Sequence, residues 1–462
     1  MKFRIEKDSL GEVKVPAEAY FGAQTQRAID NFKISGQKTA IELIRAYAII
    51  KKSAAIANAP DKRLDAKFSN AIVKAADEVL KGNFDGEFIL DIYQAEAGTS
   101  TNMNLNEVIA NRANEILGEK LGSYKQINPN DHVNLSQSTN DTYPTAMYIC
   151  TYLLIRDELI PALTHLQKSL EKKADEFKNI VKSGRTHLMD AVPITLGQEF
   201  SGYSTTIEKH ISFIKQTSEN LLEIPIGGTA VGTGLNATQN YISLVVKEIS
   251  KETKAQFRSP KNFFSAMQNC GAAVQVSSSL KGLAIDLIKI ANDIRLMNSG
   301  PVSGFSEITI PALQPGSSIM PGKINPVIPG VVNMVCFDVI GKDTAITLAA
   351  QAAQFELNVM MPSIAANLIS SIKTLSAACI SFAEKCVKGI KANEKKCLEN
   401  LEHNPIIVTA LTPHIGYAKA AEVAKKSYST GKSIKEIALE MKLLDKKSLE
   451  KILDYKKLTQ LG

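Results

Sequence analysis

The stretch GSSIMPGKIN, residues 316–325, gathers the hydroxyls of Ser317 and Ser318, a Pro321–Gly322 turn, the cation of Lys323 and the amide of Asn325. That set is odd for a packed core and fits a loop that works on a substrate. Other polar, glycine-bearing segments are AEAGTSTNMNLNE (95–107), NPNDHVNLSQSTNDTYPT (128–145), SGRTHLMDA (183–191) and GGTAVGTGLN (227–236). Taken singly, each has a structural explanation, because Asn, Ser and Thr collect in N-caps and Asx-turns. GGTAVGTG lacks the Lys-Ser/Thr of a phosphate-binding loop and the setting of a dinucleotide fingerprint, so no phosphate cradle is read there. Of six histidines, His187 is the most informative, because it follows Arg185 and Thr186 in a polar loop with no apolar stripe to bury it.

The elements that must position these loops are helical. Leu280, Leu283, Leu287, Ala291, Ile294 and Met297 recur at spacings of three and four, as do Ile155, Leu159, Leu163, Leu166, Leu170, Ala174 and Phe177. Similar periodicity predicts helices over 38–58, 200–223, 236–253, 332–352 and 363–390, while strand-like alternation is scarce and short. The expected fold class is therefore all-α: a long central helical bundle with smaller lobes at either end, of a kind that often continues into partner chains. The boundaries read as an N-terminal lobe over 1–137, a central bundle over 138–395 and a small helical C-terminal domain over 396–462.

Composition narrows the function. At 462 residues and 44% hydrophobic the chain is globular. Its net charge of +7 is spread along the sequence, and acidic residues interleave the C-terminal lysines, so a solvated helix face is read there rather than a nucleic-acid patch. The same balance suits an anionic small substrate. Six cysteines form no CxxC pair and have no histidine at metal-ligand spacing, which predicts reduced, buried thiols, no metal and a cytoplasmic setting. The start MKFRIEKDSLGE is charged from its second residue, and no run approaches the roughly 18 apolar residues of a membrane span.

Taken together, GSSxMPxKxN and the polar loops resemble the signature of the fumarase/aspartase superfamily, and the similarity runs from AYFGAQTQRA (19–28) to HIGYAKAAEVAKK (414–426). The resemblance implies a homotetramer whose central helices join in one bundle, with active sites assembled from loops of three subunits. It also implies reversible anti elimination from a succinate skeleton to give fumarate, without metal or organic cofactor. A C3 proton is removed next to a carboxylate, and the resulting dianion must be held by fixed donors and a cation. By similarity Ser317 is the base, and it can serve only if backbone N–H groups stabilise its alkoxide, with Gly316 and Pro321–Gly322 as hinges. Lys323 and Asn325 are expected to clamp the intermediate. Thr99, Ser138, Thr139, Asn140 and Thr186 are expected to hold the carboxylates, and His187 to handle the leaving group's proton.

Some positions depart from the family pattern. A glutamate that serves the histidine usually stands where this chain has Gly330, and a glycine usually stands at Glu96; Glu96 is accordingly expected to replace the missing partner of His187. Val302 replaces the arginine of SGPR, and Asn128 replaces a histidine of an accessory anion site. Motifs such as LGQEFSGY, GGTAVGTGLN and SLKGLA favour fumarate hydratase of class II, acting on fumarate and L-malate. Ala97, Thr139 and Val327 instead resemble aspartate ammonia-lyase. The sequence reading therefore favours the hydratase, with the ammonia-lyase as the alternative and an inactive structural or regulatory homologue as a distant one.

Overall fold

The computed structural model describes residues 2–460. Two short strands, β1 (Phe3–Asp8) and β2 (Gly11–Pro16), open the chain as an antiparallel hairpin. Helices α1 (Ala23–Asn31), α2 (Ile41–Asn58), α3 (Ala66–Leu80), α4 (Thr99–Ile116), α5 (Thr139–Leu154) and α6 (Ile160–Glu176) follow. A second hairpin, β3 (Val181–Thr186) and β4 (Met189–Thr195), leads to α7 (Leu196–Ser218), α8 (Gln239–Thr253), α9 (Phe263–Gln268) and α10 (Gly271–Met297). The two-residue strand β5 (Ile308–Thr309) precedes α11 (Val327–Gln351) and α12 (Met361–Lys385). It pairs with β6 (Lys391–Ala392), after which α13 (Glu394–Glu402) begins a run of short helices ending at Leu458. With 63% helix and 8% strand, the all-α expectation holds.

The apolar spacing explains the helices. Leu280, Leu283, Leu287, Ala291, Ile294 and Met297 are all buried on α10, as are Leu163, Leu166 and Leu170 on α6. A π-helical turn, Ile155–Leu159, joins α5 to α6, so the predicted run from Ile155 is two elements. α12 is long and apolar enough to pass for a membrane span by composition, but 56% of that window is buried inside the protein, as in the core helix of a bundle.

The chain divides into two compact units. The first comprises Met1–Ile160, Ser212–Gly282 and Phe337–Leu375; the second comprises Pro161–Ile211, Leu283–Cys336 and Ser376–Gly462. Within the second, Leu401, Leu411, Val423, Ile437 and Leu449 form a buried apolar cluster among the short C-terminal helices.

Candidate active site

In the first unit, two helix N-termini carry the predicted carboxylate ligands. Thr99 is the first residue of α4, and the turn before it is tight: Ala97 has φ 57° and Gly98 φ 80°. A Cβ on Gly98 would lie 1.9 Å from the Tyr143 ring, so only glycine fits there. Gln94 closes the turn by accepting from both the N–H and the hydroxyl of Thr101. Ser138 caps α5 in a capping box with Asp141. Each helix start carries the positive end of its helix dipole, where an anion is stabilised. Pro144, inside α5, has no N–H to offer the carbonyl of Asn140, so that rung of the helix ladder is missing.

The Ser138–Asn140 turn is held from two sides by groups that sequence reasoning did not single out. Asp141 is fully buried; one oxygen accepts from the Ser138 N–H, the other from the N–H groups of Gly227 and Thr229, each at 2.9 Å. The GGTAVGTG loop thus binds an internal carboxylate. Asn140 donates its amide to the Ala230 carbonyl on the same loop. On the other side Lys51, also fully buried, donates to Asn102 Oδ1 (2.7 Å), Gln137 Oε1 (2.9 Å) and Asn134 Oδ1 (3.0 Å). Asn102 in turn donates to the Thr139 hydroxyl at 2.9 Å. Burial pushes the Lys51 ammonium below its usual range and the Asp141 carboxyl above its own, while their mutual attraction opposes both shifts. Thr139 is buried, with its hydroxyl engaged internally, whereas Thr99 and Glu96 are exposed.

In the second unit, the Ser317 loop is closed on itself. Gly316 N–H donates to the Lys323 carbonyl (2.7 Å), and Asn325 Nδ2 donates back to the Gly316 carbonyl (2.6 Å). A Cβ on Gly316 would stand 2.5 Å from the Lys323 oxygen, so this glycine permits a close backbone approach rather than acting as a free hinge. Inside the loop, Ser317 Oγ accepts from the backbone N–H groups of Ile319 (3.2 Å) and Met320 (3.0 Å). Those are the donors a serine alkoxide requires. Lys323 is exposed, and so is Ile319, an apolar side chain 83% bare at the loop tip.

His187 sits at the tip of the β3–β4 hairpin. Thr186 pairs with Met189, leaving His187 and Leu188 as a two-residue turn with φ of 54° and 62°. Those angles are the signature of a type I′ turn, which favours Asn and Gly; a histidine there is held in a strained conformation that projects it outward. Beneath the hairpin, Arg185 makes a bidentate pair with fully buried Glu307, which also meets buried Lys182 at 2.8 Å. Lys182 pairs as well with Glu199. The two cations outweigh the effect of burial and hold the Glu307 carboxyl below its ordinary range. His187, Arg185, Tyr203, Lys289 and Asp293 line an open groove of about 760 Å³ in this unit.

The predicted residues therefore fall into two sets: Glu96, Thr99, Ser138, Thr139 and Asn140 in the first unit, and Thr186, His187, Ser317, Lys323 and Asn325 in the second. Gly330 lies on α11 and Val302 is 95% exposed. Asn128 caps a π-helical turn, Pro129–Val133, through its side chain.

Residues 11–341 match the family described as "Lyase", and residues 407–460 match "Fumarase C C-terminus". The chain is 50% identical over 459 residues to an aspartate ammonia-lyase of a Bacillus species, covering 99% of this chain and 98% of that one. It is 49% identical over 451 residues to a class II fumarate hydratase of Helicobacter pylori, covering 98% and 97%. A crystal structure of class II fumarase from Schistosoma mansoni superposes with a TM-score of 0.96 at 37% identity, covering 99% of each chain.

Proposed function

The chain belongs to the fumarase/aspartase lyase superfamily, and from that premise we propose that it eliminates ammonia from L-aspartate to give fumarate. The reacting skeleton is a four-carbon dicarboxylate. Ser317, as alkoxide within the N–H groups of Ile319 and Met320, takes the C3 proton. Lys323 and Asn325 hold the dianion, and the C2–N bond then breaks as the C2–C3 double bond forms. Thr99, Ser138, Thr139, Asn140 and Thr186 bind the carboxylates.

The observation that carries the choice of leaving group is Gly330. Hydroxide leaves poorly and needs a proton, so a hydratase depends on an acid such as His187 and on whatever group tunes it. An α-ammonium departs as neutral ammonia and needs no proton from the protein. Loss of a carboxylate partner for His187 is therefore costly for hydration and tolerable for deamination. Overall similarity does not separate the two activities, since identity to relatives of each kind is 50% and 49%. That leaves the pocket residues Ala97, Thr139 and Val327 to weigh in favour of the ammonia-lyase. Exposed Glu96, three residues before Thr99, is assigned in this reading to the substrate ammonium.

A second reading, hydration of fumarate to L-malate by a class II fumarase, is favoured by LGQEFSGY and by the C-terminal family match. In that case Glu96 replaces the missing partner of His187. We also propose a cytoplasmic homotetramer whose neighbouring chains complete each site. Exposure of Thr99, Thr186, His187, Lys323 and Ile319 supports this, because a water-sensitive dianion requires a closed pocket. The test is to incubate the protein with fumarate and ammonium in D2O and follow the products by NMR. Aspartate with a single deuterium at C3 supports the proposal, deuterated malate alone favours the second reading, and absence of both products overturns the assignment as a lyase.

A further inference from the structure

The buried ammonium of Lys51 is used by no step above, and its setting is specific. It stands in the middle of α2, 0% exposed, where an unpaired charge would cost several kcal/mol. All three of its partners are neutral amide oxygens: Asn102 Oδ1, Asn134 Oδ1 and Gln137 Oε1. An ammonium group has three donors, so this set satisfies it without neutralising it. The partners are not scattered. Asn102 lies one helical turn beyond Thr99 on α4 and donates onward to the Thr139 hydroxyl; it also donates to Asn134 Oδ1 at 3.1 Å. Gln137 immediately precedes Ser138, and Asn134 Nδ2 donates to the Gln137 carbonyl at 3.2 Å. Asn106, on the next turn of α4, also donates to Asn134. One cation thus ties the start of α4 to the turn that starts α5, while Asp141 fixes the far side of that turn through Gly227 and Thr229.

We propose that Lys51 is a positioning residue for the dicarboxylate: through Asn102, Asn134 and Gln137 it fixes the relative placement of Thr99 and Ser138–Asn140, the two helix starts that present donors to the substrate. The proposal rests on the dicarboxylate reading above. Its effect is on binding geometry, and an apolar residue of equal length fills the same space on α2 without supplying the three-way link.

The test uses the full-length protein and succinate, a dicarboxylate that cannot eliminate, with calorimetric titration of wild type, Lys51→Met and Gln137→Met. Gln137→Met removes one acceptor at a half-buried position and serves as the deciding variant if Lys51→Met does not fold. Loss of a hydrogen bond to a charged group corresponds to a factor of about 10 to 100, so folded Lys51→Met should bind succinate that much more weakly and Gln137→Met about 10-fold more weakly. In turnover, KM should rise by the same factor with kcat within a few-fold, which a general loss of stability would not produce. Folded variants that bind succinate within about twofold of wild type overturn the positioning role. Failure of wild type itself to bind succinate overturns the dicarboxylate reading and this proposal with it.

Discussion

The hydroxyl oxygen of Ser317 lies 3.0 Å from the backbone nitrogen of Met320 and accepts its hydrogen, with Ile319 N–H as a second donor at 3.2 Å. A serine so placed has fixed dipoles waiting for a negative charge on its oxygen, at no cost of reorganisation during reaction. Ser317→Ala should lower kcat by about 1,000-fold, within the range for loss of a positioned base, and change KM by no more than a few-fold. Steady-state kinetics of the variant checks this; a KM effect alone would make Ser317 a binding residue.

Gly316 shares that loop and has no room for a methyl group beside the Lys323 carbonyl. Gly316→Ala should shift the loop by a fraction of an ångström and cost about 10- to 100-fold in kcat, since misplacement of that order is enough to spoil a reacting geometry. The unfolding midpoint should hardly move, because the loop is exposed and its bonds are local.

Much of this was legible in the sequence. The long helices follow from spacing alone, and α2, α7, α8, α10, α11 and α12 all lie over the predicted runs. The Ser317 loop was legible because hydroxyls, Pro-Gly and a lone cation rarely share ten residues without reason. The hairpin that carries His187 was not: its turn residues are His and Leu, and neither signals positive φ. Lys51 was hidden for another reason. In AYAIIKKSAAIAN one of two adjacent lysines faces the core, and only the partners, from distant segments, reveal which one. Asp141 read as part of a polar loop, and its role appears only when Gly227 and Thr229 are seen to donate to it.

Glu96 separates the two readings of the leaving group. If it holds the substrate ammonium, Glu96→Gln raises KM for aspartate by about 10-fold or more and leaves malate turnover unchanged. If it serves His187, kcat falls for malate, whose leaving hydroxide needs a proton, and aspartate turnover changes little. Paired kinetics on aspartate and malate distinguishes these outcomes.

Glu307 is the shared counter-charge of Lys182 and Arg185 beneath the His187 hairpin. Glu307→Gln leaves buried Lys182 with Glu199 alone and should destabilise the protein by about 3 kcal/mol, as expected for breaking a buried ion pair. Chemical denaturation measures the loss, and a variant as stable as wild type would mean that the network is not needed to hold β3.

Asp91 predicts an acid limb. Burial alone would raise its carboxyl, but hydrogen bonds from the Tyr93, Ser35 and Gly36 N–H groups and the Ser35 hydroxyl outweigh it and hold the group at about 2. Because the folded value is depressed, the stabilisation is fully present above about pH 4 and is lost as pH falls through about 2. Asp91→Asn should be less stable than wild type near neutrality, and the gap should close over that window. A gap independent of pH would show that the carboxylate charge is not responsible.

The most direct test of the account is the rate of fumarate formation, followed by its ultraviolet absorbance, with L-aspartate and L-malate offered separately to the same purified protein. Elimination of ammonia predicts a kcat/KM for aspartate at least about 100-fold above that for malate. A preference for malate would contradict the argument from Gly330, and fumarate from neither substrate would contradict the lyase chemistry assigned to Ser317.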